Sequence, residues 1–238
     1  ALPIYTGGGL GAVYGYSIDL TWDPAVITAT AGDFAKPAGG AFSTTTWFIP
    51  QIIAAGHARI DAALPGGSAG TTADDLFKVS FTAVGTPDFA TSALTLTLNY
   101  FRDQNNVPLT SFTPANGQVN VDLVAPAVTG VANYNSTPAS TDDYLTNTDA
   151  LSLLATVSDG DPAFAIGDIQ ADLSGFGGSA TAAPASYVGT TATWTVASAT
   201  CSPADGTVTV TVTGTDPLGN SANGTDTIIA DNTPPAAV

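Results

Sequence analysis

Apolar and polar residues alternate along most of this 238-residue chain, and a period of two is the pattern of β-strands. In Ser17–Trp22, Ile18, Leu20 and Trp22 alternate with Ser17, Asp19 and Thr21. Leu76–Val84 sets Phe77, Val79, Phe81 and Ala83 against Lys78, Ser80 and Thr82. Leu94, Leu96 and Leu98 alternate with Thr95, Thr97 and Asn99, and Trp194 and Val196 with Thr193 and Thr195. Val208, Val210 and Val212 alternate in the same way with Thr207, Thr209 and Thr211. One apolar face and one Thr/Ser face is what a sheet buried on a single side requires. There is no long amphipathic period of 3.6. Many such strands, separated by Gly, Pro, Asn and Asp turns, predict an all-β protein built as two β-sandwiches in tandem.

Composition supports strands and turns and removes most chemistry. There are 36 Thr, 25 Gly and 16 Pro, with no Met and no Glu. Helix formers are scarce. The 20 acidic residues are all Asp against four Lys and Arg, a formal net charge of −16. Phosphates and anionic lipid surfaces repel such a polyanion, so neither nucleic acid nor direct membrane insertion is expected. No run approaches the ~18 apolar residues of a membrane span. One His and one Cys leave little acid–base or nucleophilic equipment, and zinc coordination is nearly excluded. Cys201 has no internal partner, which leaves a half-buried thiol or an intermolecular bridge. The chain opens at Ala1 without Met, as a processed or excised product does. The acidic, Lys-poor surface fits a secreted, extracellular or cell-surface protein. Asn135-Ser-Thr and Asn223-Gly-Thr match the N-glycosylation acceptor pattern, a weak signal in so Thr-rich a chain.

A short repeat marks the domain boundary. Asp122-Leu-Val-Ala-Pro126-Ala-Val128 is echoed by Asp231-Asn-Thr-Pro-Pro235-Ala-Ala-Val238, each placed after an alternating strand. Proline keeps such a segment extended and ends the preceding ladder. The expected domains are 1–122 and 123–232, with 233–238 as a tail or the opening of a further module.

Two resemblances follow. Val13-Tyr-Gly-Tyr-Ser-Ile-Asp-Leu-Thr-Trp-Asp23-Pro24-Ala-Val26-Ile27, with Gly32-Asp33-Phe34 at its spacing, resembles the cohesin signature. Gly70–Phe81, Asp103–Asn106 and Asn116–Val121 resemble later parts of that module. The resemblance implies a jelly-roll sandwich that binds dockerins or serves in cell-surface scaffolds. Cohesins usually carry a strand before the one matched by Leu2, Pro3, Ile4 and Tyr5. Lacking it, the sandwich would leave this edge open for a strand from another copy, the alternative being a sandwich that closes without it. The second half resembles bacterial immunoglobulin-like repeats of adhesins and surface-layer proteins, through Val157-Ser-Asp159-Gly-Asp161, Ile169–Ser174, Thr193–Val196 and Val208–Asn220. That resemblance implies a spacer or assembly unit.

Candidate chemistry is sparse. His57, Arg59 and Asp61 share one strand face, but no Gly-x-Ser-x-Gly elbow accompanies them, so a surface cluster is expected rather than a triad. No Asp pair stands out as a glycosidase acid and nucleophile. Calcium is a sharper expectation, because it needs several hard oxygen ligands on bent segments. An immunoglobulin-like sandwich would bring Asp122, then Asp159, Asp161 and Asp168, and then Asp216 with Asn220 to one pole. The competing role for these residues is turn capping. Asp142-Asp143 is a second, weaker acidic pair. Tyr14, Tyr16, Trp47, Phe48, Tyr100 and Phe101 are either a sugar-stacking platform or core, and core is expected for most. The expectation is a non-catalytic structural or assembly protein. Its partners would be other copies of itself or neighbouring surface proteins. The alternative is a recognition module for a dockerin-like partner or a glycan.

Overall fold

A computed structural model describes residues 2–5, 13–45, 47–65, 75–110, 112–137 and 144–233. The chain is all-β and divides into two compact units, residues 1–121 and 122–238.

In the first unit the strands are β1 (Leu2–Tyr5), β2 (Gly15–Thr21), β3 (Ile27–Thr28), β4 (Phe34–Ala35), β5 (Trp47–Ala54) and β6 (His57–Ala63). They continue as β7 (Asp75–Val79), β8 (Thr82–Ala83), β9 (Ala90–Arg102), β10 (Pro108–Leu109) and β11 (Gly117–Val121). The larger sheet runs β10-β9-β2-β6-β5, with β11 also on β9, and the smaller runs β1-β7-β4. Their inner faces share one core. Tyr16, Leu20, Phe42, Ile60 and Phe77 are fully buried there. The Tyr16 hydroxyl crosses the core to donate to the Leu76 carbonyl at 2.7 Å. A buried phenol needs such a partner.

The alternation expected over Leu76–Val84 is interrupted twice. Ile4 pairs with Phe77 but Tyr5 with Asp75, so Leu76 is an extra, bulged residue, and Leu76 and Phe77 are both buried. The strand then breaks at Ser80, whose amide donates to the Asp33 carbonyl.

The second unit contains β12 (Ala127–Asn135), β13 (Tyr144–Leu145), β14 (Leu151–Ser158), β15 (Ile169–Asp172), β16 (Ser186–Val188), β17 (Thr191–Val196), β18 (Gly206–Thr215) and β19 (Ser221–Ala230). One four-stranded sheet runs β12-β14-β17-β16 and the other β13-β19-β18-β15. Val208, Val210 and Val212 face Leu151, Leu153 and Trp194 in a second core, as their alternation requires. Cys201 is buried beside this core and free. Burial, with Asp149 nearby, pushes its thiol pKa up, so it is not presented for an intermolecular bridge. Residues 234–238, which carry most of the expected tail, and the Asp142-Asp143 pair lie outside the described residues.

Candidate recognition face

The outer face of β5-β6-β2-β9 follows from register, because directly opposed residues project to the same side. Trp47, Ala63, Gly15 and Arg102 form one row across the four strands. Ile49, Asp61, Ser17 and Tyr100 form the next, and Gln51, Arg59, Asp19 and Thr97 the third. His57 and Thr21 with Thr95 close the set.

Charge is fixed at the centre of this face. Arg59 Nε donates to Asp19 Oδ1 at 2.7 Å and its Nη2 to Oδ2 at 3.0 Å. Asn99 Nδ2 adds a bond to Asp19 Oδ1 at 3.0 Å, and His57 Nε2 lies 3.4 Å from Oδ2. The Arg59 hydrogen bonds, helped by Asn99, hold the Asp19 carboxyl at about 2. Asp19 raises the Arg59 pKa in return. His57, Arg59 and Asp61 thus share a face as expected, and the hub joining His57 to Arg59 is Asp19, contributed by the neighbouring strand. A bidentate Arg–carboxylate pair is geometrically stiff.

Apolar side chains flank this centre on the β5 edge. Trp47 is 57% exposed and Ile49 44%, and Ile53 is exposed where a bulge interrupts the pairing. Tyr100 lies on the opposite flank. Of the six aromatics, Tyr16 and Phe101 are core, Tyr14 and Phe48 are half-buried, and Trp47 and Tyr100 face solvent. Exposed Trp and Tyr around a fixed Arg are the composition of a binding surface.

On the assembly edge, β1 pairs with β7 through Leu2–Val79, Pro3–Lys78 and Ile4–Phe77. Among the described residues no strand lies on its other side.

The acidic residues of the second unit do different things. A carboxylate oxygen of Asp122 lies within 4.8 Å of one from Asp159. Asp122 is 5% exposed, and its Oδ2 is buried with no hydrogen-bond partner. Asn220 Nδ2 donates to the Asp122 carbonyl at 3.1 Å, bringing the β18–β19 turn to the same place. Asp216 is saturated: Oδ1 accepts the Leu218 and Asn220 amides, and Oδ2 accepts Asn220 Nδ2. These bonds hold its pKa down against the opposing effect of burial. Asp161 accepts the Ala163 amide and Asp168 the Ala165 amide, so both cap local turns. The Asn135 amide nitrogen is buried and donates to Tyr144 O and Asp149 Oδ2, so the folded chain does not offer it for glycosylation. Asn223 is exposed on β19.

No family model matches this chain. No curated protein matches it. Among solved structures it is similar to CaCohA2 from Clostridium acetobutylicum, with 19% identity and a TM-score of 0.43 over 50% of this chain and 79% of that one. It is also similar to a chain of the CaDoc0917–CaCohA2 complex, with 18% identity and a TM-score of 0.42 over 50% of this chain and 86% of that one.

Proposed function

We infer that the chain is a non-catalytic recognition protein whose first unit docks a partner on the outer face of β5-β6-β2-β9. The observation that carries this is the pairing of exposed Trp47 and Ile49 with the locked Asp19–Arg59 centre. An apolar anchor beside an oriented charge gives both affinity and register. The cohesin resemblance of residues 13–34 makes the partner a dockerin-type module. The second unit is read as an immunoglobulin-like spacer, and the acidic, Lys-poor composition supports an extracellular setting. Calorimetric titration with a panel of dockerin modules tests the reading: saturable binding by at least one is expected, and silence across the panel overturns it.

A second reading is favoured by the side of β1 on which no strand lies among the described residues. There a strand from another copy or a neighbouring surface protein would add to Leu2–Tyr5 and build a fibre or surface layer. Concentration-dependent oligomers in sedimentation velocity are expected, suppressed when a strand is appended ahead of Ala1. A monomer at every concentration rejects this reading.

Calcium is proposed at the pole where the chain enters the second unit. The support is the orphaned Asp122 Oδ2 and its closeness to Asp159, since two near carboxylates repel unless a cation lies between them. At about a hundredfold excess over Kd, bound calcium would stabilise the unit by about 2.7 kcal/mol. EDTA is expected to lower its melting midpoint by several degrees in the native sequence and to leave Asp122→Ala unmoved. A midpoint indifferent to EDTA removes the cation.

A further inference from the structure

A cleft of about 540 Å³ opens at the Arg102 end of the larger sheet, within the range of small-ligand sites. Gly15 and Ala63, two of the smallest residues, sit opposite one another in the sheet here and leave its floor low. Tyr100, Arg102, Gln104 and Asn106 line it, with Tyr14, which also packs against the core.

The walls are held in place. Asp103 Oδ1 accepts the amides of Asn105 and Val107, both at 2.8 Å, which closes a tight turn with Asn106 at φ 65°. Arg102 is fixed on both sides. Its guanidinium carbon lies 4.8 Å from the centre of the Tyr100 ring, and its Nη1 donates to the Asn106 carbonyl at 2.9 Å. A guanidinium carries five N–H donors, so a single bond to Asn106 does not exhaust it. Tyr14 is anchored through its backbone, donating to the Arg102 carbonyl and accepting from Leu64.

We propose that this cleft binds a neutral saccharide, with the sugar ring against the tyrosines and its hydroxyls read by Arg102, Gln104 and Asn106. Three observations select that ligand class. The strand edge beside the cleft is occupied, since β10 pairs with β9 at Arg102 and Phe101, so a peptide strand cannot add there and recognition falls to side chains. A lining that combines tyrosines with amides and a guanidinium suits a ligand with an apolar C–H face and a polar rim, as a pyranose has. The chain carries a net charge of −16, and Asp103 offsets Arg102 locally, so an anionic ligand is disfavoured.

This goes beyond the docking reading and does not rest on it, although Gly15, Ala63, Tyr100 and Arg102 belong to both surfaces. The test is an amide-resolved NMR titration of the full chain with cellohexaose, xylohexaose, mannohexaose and chitohexaose, and with hexagalacturonate as the anionic control. Saturable shifts at Tyr14, Gly15, Tyr100 and Arg102 are expected with at least one neutral sugar. Tyr100→Ala should weaken that sugar about tenfold, the share of one aromatic contact. Arg102→Lys, which keeps the charge and loses the planar fork, should weaken it too. No shift with any neutral sugar, equal binding of hexagalacturonate, or undiminished binding by Tyr100→Ala overturns the proposal.

Discussion

Trp47→Ala is expected to weaken capture of the dockerin-type partner by about a hundredfold while leaving the fold intact. At 57% exposure the indole contributes little to the core, so its removal is a surface change for stability. For binding it removes the largest apolar anchor of the face. Trp anchors at protein interfaces typically contribute about 2–4 kcal/mol, or roughly 30- to 1,000-fold in Kd. Asp19→Asn provides the contrasting electrostatic change. It removes the carboxylate that orients Arg59 and, at the centre of the face, should speed dissociation as well as alter the salt dependence. Surface plasmon resonance at two ionic strengths separates the two variants. Equal Kd for Trp47→Ala and the native chain would move the docking site off this face.

Gly56→Ala should destabilise the first unit by about 3 kcal/mol. Gly56 turns the β5–β6 hairpin at φ +74°, a conformation that costs an L residue roughly 1–2 kcal/mol. A Cβ there would also stand 2.5 Å from the Trp22 carbonyl oxygen and 2.8 Å from Pro24 Cδ. The backbone cannot step aside cheaply, because Trp22 donates its amide to the Gly56 carbonyl at 2.9 Å. Gly189→Ala is the control: its φ is +61° with nothing within 4 Å of the new methyl, so it should cost only the conformational part, about 1 kcal/mol. Denaturant melts of both variants are the check, and equal losses would mean that the close approach at Gly56 carries no energy. Since this hairpin sets β5 beside β6, Gly56→Ala should also loosen the edge that presents Trp47.

Much of the architecture could be read from the chain. Alternation placed Ile18, Leu20 and Trp22, and Val208, Val210 and Val212, in cores where the structure buries them. The all-β class followed from the same periodicity. The site was less legible. The His57–Arg59–Asp61 face was visible as a period, but its hub Asp19 comes from another strand, and cross-strand register is absent from a single segment. The acidic residues were harder to rank, because all are Asp in turn-like sequence. Only backbone placement distinguishes Asp216, with both oxygens satisfied, from Asp122, with one orphaned.

Tyr100 and Phe101 show where the two levels part. Extending the Leu94, Leu96, Leu98 period would bury Tyr100 and expose Phe101. The structure does the opposite, with Phe101 at 4% exposure and Tyr100 at 37%. Between Ser17 and Ile18 the register on β9 slips by one, leaving Asn99 as an extra residue that bonds Asp19 and Ser17. The sequence alone determined the strands and their buried faces, because burial selects a local period. The partner strand decided where that period slips. A one-residue bulge inverts every side chain beyond it, and its position depends on β2, some eighty residues away in the chain. That inversion puts Phe101 against Tyr16 in the core and leaves Tyr100 outside, beside Arg102.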